Sequence, residues 1–111
     1  MQLITYYYMR YTLDIYNNKV GGLIEILASN CRKRRLEKGL SRRHLAAFSG
    51  VPEPTIAKFE QSGKISLESF VRICNELGYY DELSRILSTA KYSTVAELET
   101  IQKNHYRVKG R

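Results

Sequence analysis

Apolar residues recur every three or four positions through the middle of this 111-residue chain. The clearest stripe is Leu67, Phe70, Ile73, Cys74 and Leu77, which predicts an amphipathic helix. Ser66 stands before it as N-cap, Glu68 and Ser69 fall in its first turn, and Gly78 stands as its C-cap. Upstream, Ile24, Leu27, Cys31 and Leu36 predict a first helix over residues 23–38. Its polar side carries Arg32, Lys33 and Arg34, and Gly39 ends it. A short helix over 80–87 carries Leu83, Ile86 and Leu87.

Between the first helix and the amphipathic stripe lies SRRHLAAFSGVPEPTIAKFE, residues 41–60. Ser41 is an N-cap for a helix over 42–49, in which Leu45 and Ala46 face inward. If Ser49 faces inward with them, Phe48 points partly outward. It is then either a ring covering a loop or a contact for another protein. Gly50 sits where a helix must stop with a positive φ. A next helix over 53–61 tolerates Pro54 in its first turn, because that amide has no intrahelical partner. At 3.6 residues per turn, Ile56, Phe59 and Glu60 share one side of it, and Pro54, Ala57, Lys58 and Gln61 share the other. Ser62, Gly63 and Lys64 form the exit loop. Two short helices joined by a few residues around a glycine form a helix-turn-helix, whose second helix has the shape that enters a DNA major groove.

The two ends depart from this pattern. Residues 1–20 hold five of the nine tyrosines. Tyr, Thr and Ile favour strand, and Asn17-Asn18 reads as a turn. An extended strand, free or paired with a second copy, and an upstream extension with Met9 as the natural start both remain open. Gly21-Gly22 is expected to break the pattern. The domains expected are therefore an extension (1–20), a helical domain (21–88) and a C-terminal extension (89–111). In the last, residues 94–99 form one or two helical turns capped by Ser93 or Thr94. The basic run from Lys103 to Arg111 has no core-forming pattern and is expected to be mobile when free.

The net charge of +7 favours a polyanionic partner, nucleic acid before a membrane surface. No apolar run approaches the roughly 20 residues of a membrane span, and no secretion signal is convincing, so the cytoplasm is the expected location. Cys31 and Cys74 have no metal-ligand spacing and are expected to be reduced, buried thiols. No metal and no cofactor is expected. His44 and His105 lie in separate elements with no nucleophile constellation, so catalysis is not expected.

Five short helices with the turn between the second and third resemble the lambda-repressor-like, or XRE-family, helix-turn-helix domain. The resemblance spans roughly residues 23–87. Its carriers are Arg35, Gly39-Leu40-Ser41, Leu45-Ala46, Gly50-Val51, Thr55-Ile56, Phe59-Glu60, Gly63-Lys64, Leu67, Phe70 and Leu77. It implies an all-α fold and a sequence-specific DNA-binding regulator. It also implies a pair between Glu60 and Arg35, which agrees with the need of an inward carboxylate for a partner. The segment Ser93-Thr94-Val95-Ala96-Glu97-Leu98 followed by a basic tail is similar to the end of HipB-like antitoxins. That similarity implies a HipA-like kinase toxin as a second candidate partner.

On double-stranded DNA the expected base contacts are Glu53, Pro54, Thr55, Lys58 and Gln61. Lys58 would donate to guanine, Gln61 to a base edge near the groove rim, and Glu53 would accept from cytosine. Thr55 would touch a thymine methyl or a phosphate, and Pro54 offers shape. Phosphate contacts are expected from Arg42, Arg43 and Lys64. One domain covers a half-site, so a homodimer on a two-fold operator is expected. Leu83, Ile86 and Leu87 are its candidate seam, or else part of the domain's own core.

Overall fold

The computed structural model describes residues 2–107, with the side chains of residues 2, 4, 7, 8 and 10–17 also outside the description. Among the described residues there are six helices and no strand: α1 (Gln2–Glu37), α2 (Arg42–Ser49), α3 (Glu53–Ser62), α4 (Leu67–Glu76), α5 (Tyr80–Ser84) and α6 (Val95–Asn104). They fall into two compact units, divided between Tyr80 and Asp81.

The first unit is built around one apolar cluster. Ala28 of α1, Leu45 of α2, Val51 of the following turn, Ile56 and Phe59 of α3, and Ile73 and Leu77 at the end of α4 are buried together. Cys31, Leu40, Ala46, Ile65 and Phe70 close over it. Each fully buried aliphatic side chain here stabilises the fold by about 1.5–3 kcal/mol before entropy is counted. Phe59 meets Phe70 edge to face at 5.7 Å, the orientation that aromatic quadrupoles favour.

The caps follow the local chemistry. Ser41 Oγ accepts from the His44 amide at 3.1 Å, and Ser66 Oγ from the Ser69 amide at 3.1 Å. Gly50 and Gly63 end α2 and α3 with φ of +76° each, a conformation that a Cβ makes costly.

Four expectations are corrected. First, α1 runs without interruption through residues 2–20 and through Gly21-Gly22, where a strand, a turn and a break were expected. Strand propensity is a weak, context-dependent preference and does not decide the conformation of this segment. Glycine accepts helical dihedrals as readily as others, so the pair weakens the helix without ending it. Second, the buried face of α1 is Ala28, Cys31 and Arg35, while Leu27 and Leu36 are exposed. Third, Leu67 is exposed, so the α4 stripe is buried only from Phe70 onward. Fourth, α5 stops at Ser84. The chain then tightens into i to i−3 bonds (Arg85 to Glu82, Ile86 to Leu83, Ser88 to Arg85), and Leu87 takes a φ of +62°. Ile86 and Leu87 therefore share no regular helix face with Leu83.

The second unit carries α6, which is longer than the one or two turns expected. Thr94 Oγ1 accepts from the Glu97 amide at 3.1 Å, and the Glu97 carboxylate accepts in return from the Ser93 amide at 2.8 Å. This reciprocal cap starts the helix. Its apolar positions extend past Leu98 to Ile101, which the sequence reading left out. The expectation of a mobile basic tail falls partly on residues 108–111, outside the described residues.

Candidate nucleic-acid interface

The turn between α2 and α3 is held from within. The Gly50 amide donates to Ala46 O at 3.0 Å, and the Val51 amide donates to Ser49 Oγ at 3.2 Å. Ser49 is buried, and Val51 beside it plugs into the core. Phe48, one residue earlier, is 61% exposed. The turn therefore leaves α3 no freedom to roll about its axis: Ile56 and Phe59 are sunk in the core on one side.

Glu60 completes that inward side. Its side chain is 2% exposed and faces Arg35, whose Nε donates to Oε2 at 2.7 Å and whose Nη2 donates to Oε1 at 2.8 Å. The remaining Nη1 donates to Leu40 O at 2.8 Å, in the loop after α1. Arg42 of α2 adds a third bond, Nε to Glu60 Oε1 at 3.1 Å. Burial pushes the Glu60 carboxyl up, but the bonds and charges of the two arginines outweigh it and hold the group below the usual carboxylate range. The same bond from Glu60 raises Arg35 further above its ordinary value. One carboxylate thus joins the end of α1, the start of α2 and the end of α3.

The opposite side of α3 is open. Glu53, Pro54, Lys58 and Gln61 are exposed, and Thr55 is half-buried. Pro54, Thr55 and Lys58 line a depression of about 440 Å³ together with Lys64, Ile65 and Ser66 of the exit loop. That loop is ordered by Ser62, whose Oγ donates to Lys58 O at 2.6 Å and accepts from the Lys64 amide at 3.3 Å. The structure therefore brings together Pro54, Thr55, Lys58 and Lys64. Glu53 and Gln61 lie at the two ends of the same helix.

Arg43 is exposed near the start of α2, as a phosphate contact requires. Arg42 is half-buried and already bonded to Glu60, so it has less reach than Arg43. That third bond was missed in the sequence reading. The signal was present, since a carboxylate facing inward near the start of α2 can accept from more than one cation. His44 is exposed on α2. His105 lies in the other unit, where its Nδ1 is 2.9 Å from Gln102 O.

Cys31 and Cys74 are free thiols, half-buried and buried respectively. The bond to Cys74 and burial push the Cys31 thiol far above its ordinary value, so it stays protonated. Among the described residues no group of His, Cys, Asp or Glu is placed to hold a metal ion, and no helix is long and apolar enough to cross a membrane.

Residues 32–83, just under half of the chain, match the profile of the helix-turn-helix family. The match covers the end of α1 through most of α5, and so contains every residue of the candidate interface described above. A domain of this family is the DNA-binding part of a transcription regulator. No curated protein sequence and no solved structure matches the chain.

Proposed function

We propose that this chain is a sequence-specific transcription regulator that places α3 in the major groove and represses its own operon from a palindromic operator as a homodimer. One observation carries the reading. The outer side of α3 offers Pro54, Thr55 and Lys58 around one depression with Lys64, while its inner side is locked by Ile56, Phe59 and the Glu60–Arg35 pair. A helix held this rigidly presents donors at fixed positions, which base-edge reading needs.

In the bound state Lys58 donates to guanine and Thr55 meets a thymine methyl or a phosphate. Gln61 bonds an edge near the rim, Pro54 sets the fit, and Glu53 accepts from cytosine. Arg43, Lys64 and the free nitrogens of Arg42 take phosphates. The α2 N-terminus adds its own attraction for an anion.

A second reading is favoured by the separate unit beyond Tyr80, which the base-reading face does not require. In that reading the unit from Asp81 onward docks on a HipA-like kinase toxin and neutralises it, in the same molecule that binds DNA.

Fluorescence anisotropy tests the first reading. A duplex from the chain's own upstream region and a scrambled duplex are titrated at two salt concentrations. Operator reading requires a preference of about a thousandfold or more. The salt slope then counts the phosphate contacts. Equal binding to both duplexes, seen only at low salt, would overturn the reading.

A further inference from the structure

Among the described residues, the part of α1 that packs into the base-reading unit begins near Ile24. At 1.5 Å per residue the 36-residue helix is about 54 Å long. Its inner face, Ala28, Cys31 and Arg35, is confined to the last third and meets the core and Glu60; Ile24, just before it and 39% exposed, lies against Gly63.

The positions before and beside that face follow a different order. Tyr6, Met9, Leu13, Tyr16, Val20, Leu23 and Leu27 are spaced 3, 4, 3, 4, 3 and 4 residues apart. Seven consecutive positions of a heptad seam are apolar or aromatic, with no polar interruption. The other apolar row, Ile4, Tyr8, Tyr11 and Ile15, ends at the polar Asn18. Met9 is 65% exposed and Leu23 57%, and Val20 and Leu27 are each 40% exposed. These residues lie outside the core of this chain.

We propose that this seam is covered by the same helix of a second copy of the chain, and that the resulting coiled coil is the dimer interface. The proposal deepens the homodimer of the preceding section and replaces residues 83–87 as its seam.

Three observations favour a second copy over another occupant. Residues 2–27 carry Arg10 and Lys19 against Asp14 and Glu25, a net charge of zero, so the whole +7 lies elsewhere. The segment is thus a poor surface for DNA and does not repel its own copy. Gly21 and Gly22 fall at heptad positions away from the seam, and a Cβ at either would meet nothing. A helix that continues through two consecutive glycines is marginal alone, so burial along Val20 and Leu23 supplies what propensity lacks. Finally, the seven positions of each copy bury on the order of 1,500 Å² in all, within the range of a stable interface.

The test is sedimentation equilibrium on the full chain without DNA, so that it does not depend on operator reading. The expected mass is twice 12.9 kDa at micromolar concentration. The double variant Met9→Glu with Val20→Glu, both exposed and outside the core, should weaken association at least about a hundredfold (a two-glutamate estimate from the desolvation of buried charge). Asn18→Glu, off the seam, should leave the mass unchanged. Amide exchange gives a measurement free of variants: protection over residues 2–27 should fall on dilution while that of α3 and α4 holds. A mass of one or three copies, a dimer that survives the double variant, or protection independent of concentration would overturn the seam. A monomer that still prefers its operator would leave the regulator reading standing. A dimer without operator preference would leave the seam and remove the regulator.

Discussion

Glu60 accepts two parallel hydrogen bonds from the guanidinium of Arg35, 25 residues away, with both side chains almost fully removed from solvent. The fork geometry matches a carboxylate, and the third guanidinium nitrogen is satisfied by Leu40 O. Removing the acid would strand a buried cation. Glu60→Ala is expected to lower unfolding free energy by about 3–5 kcal/mol. Urea denaturation reads this directly. An unchanged midpoint would mean that the carboxylate contributes nothing to the fold.

The same pair predicts acid sensitivity. The folded Glu60 carboxyl lies below its ordinary value of 4.5 because the bonds and charges of Arg35 and Arg42 outweigh burial. A group depressed in the folded state adds stability above its unfolded value, and loses it as pH falls through the folded value. Wild-type stability should therefore drop below pH 4.5, and the gap to Glu60→Gln should narrow there. Urea midpoints for both proteins from pH 7 to pH 3 test the sign. A gap that widens in acid would contradict it.

Gly63 closes α3 with a φ of +76°, and a Cβ there would run into the Ile24 side chain of α1. Strain and overpacking add at one position. Gly63→Ala should destabilise by about 2–4 kcal/mol, the sum of the two effects. The companion Ile24→Ala change should recover part of this loss in a double-mutant cycle. Strict additivity would show that the two positions do not touch.

Gly21 and Gly22 carry the opposite expectation. Both have helical backbone with open space where a Cβ would stand. Alanine at each should strengthen α1 by about 1 kcal/mol. Circular dichroism during thermal unfolding would register the gain. A loss of stability would mean that the chain needs to bend there.

Lys58 is exposed on the outer side of α3 and lines the depression beside Lys64. Lys58→Ala should cost about 1–3 kcal/mol on the specific site and relax preference at one base pair. Anisotropy against a panel of single-base operator variants distinguishes the roles. Uniform weakening on every duplex would make Lys58 a phosphate contact instead.

Much of the domain was legible in the chain itself. The periodicity of 42–77, the caps Ser41 and Ser66, and the positive-φ site Gly50 all follow from local rules, because each depends on residues within one or two turns. The inward sides of α2 and α3 follow from 3.6 residues per turn, which placed Phe48 outward and Glu60 inward. The Glu60–Arg35 partnership came from resemblance, with the demand of a buried carboxylate beside it. What tertiary structure alone decided is of a different kind. That Leu36 and Leu67 stay in solvent, and that Arg42 also serves Glu60, depends on neighbours distant in sequence. Local propensities differ there by less than a kcal/mol or so per residue. Packing partners contribute more than that, and a sequence read residue by residue does not show where they lie.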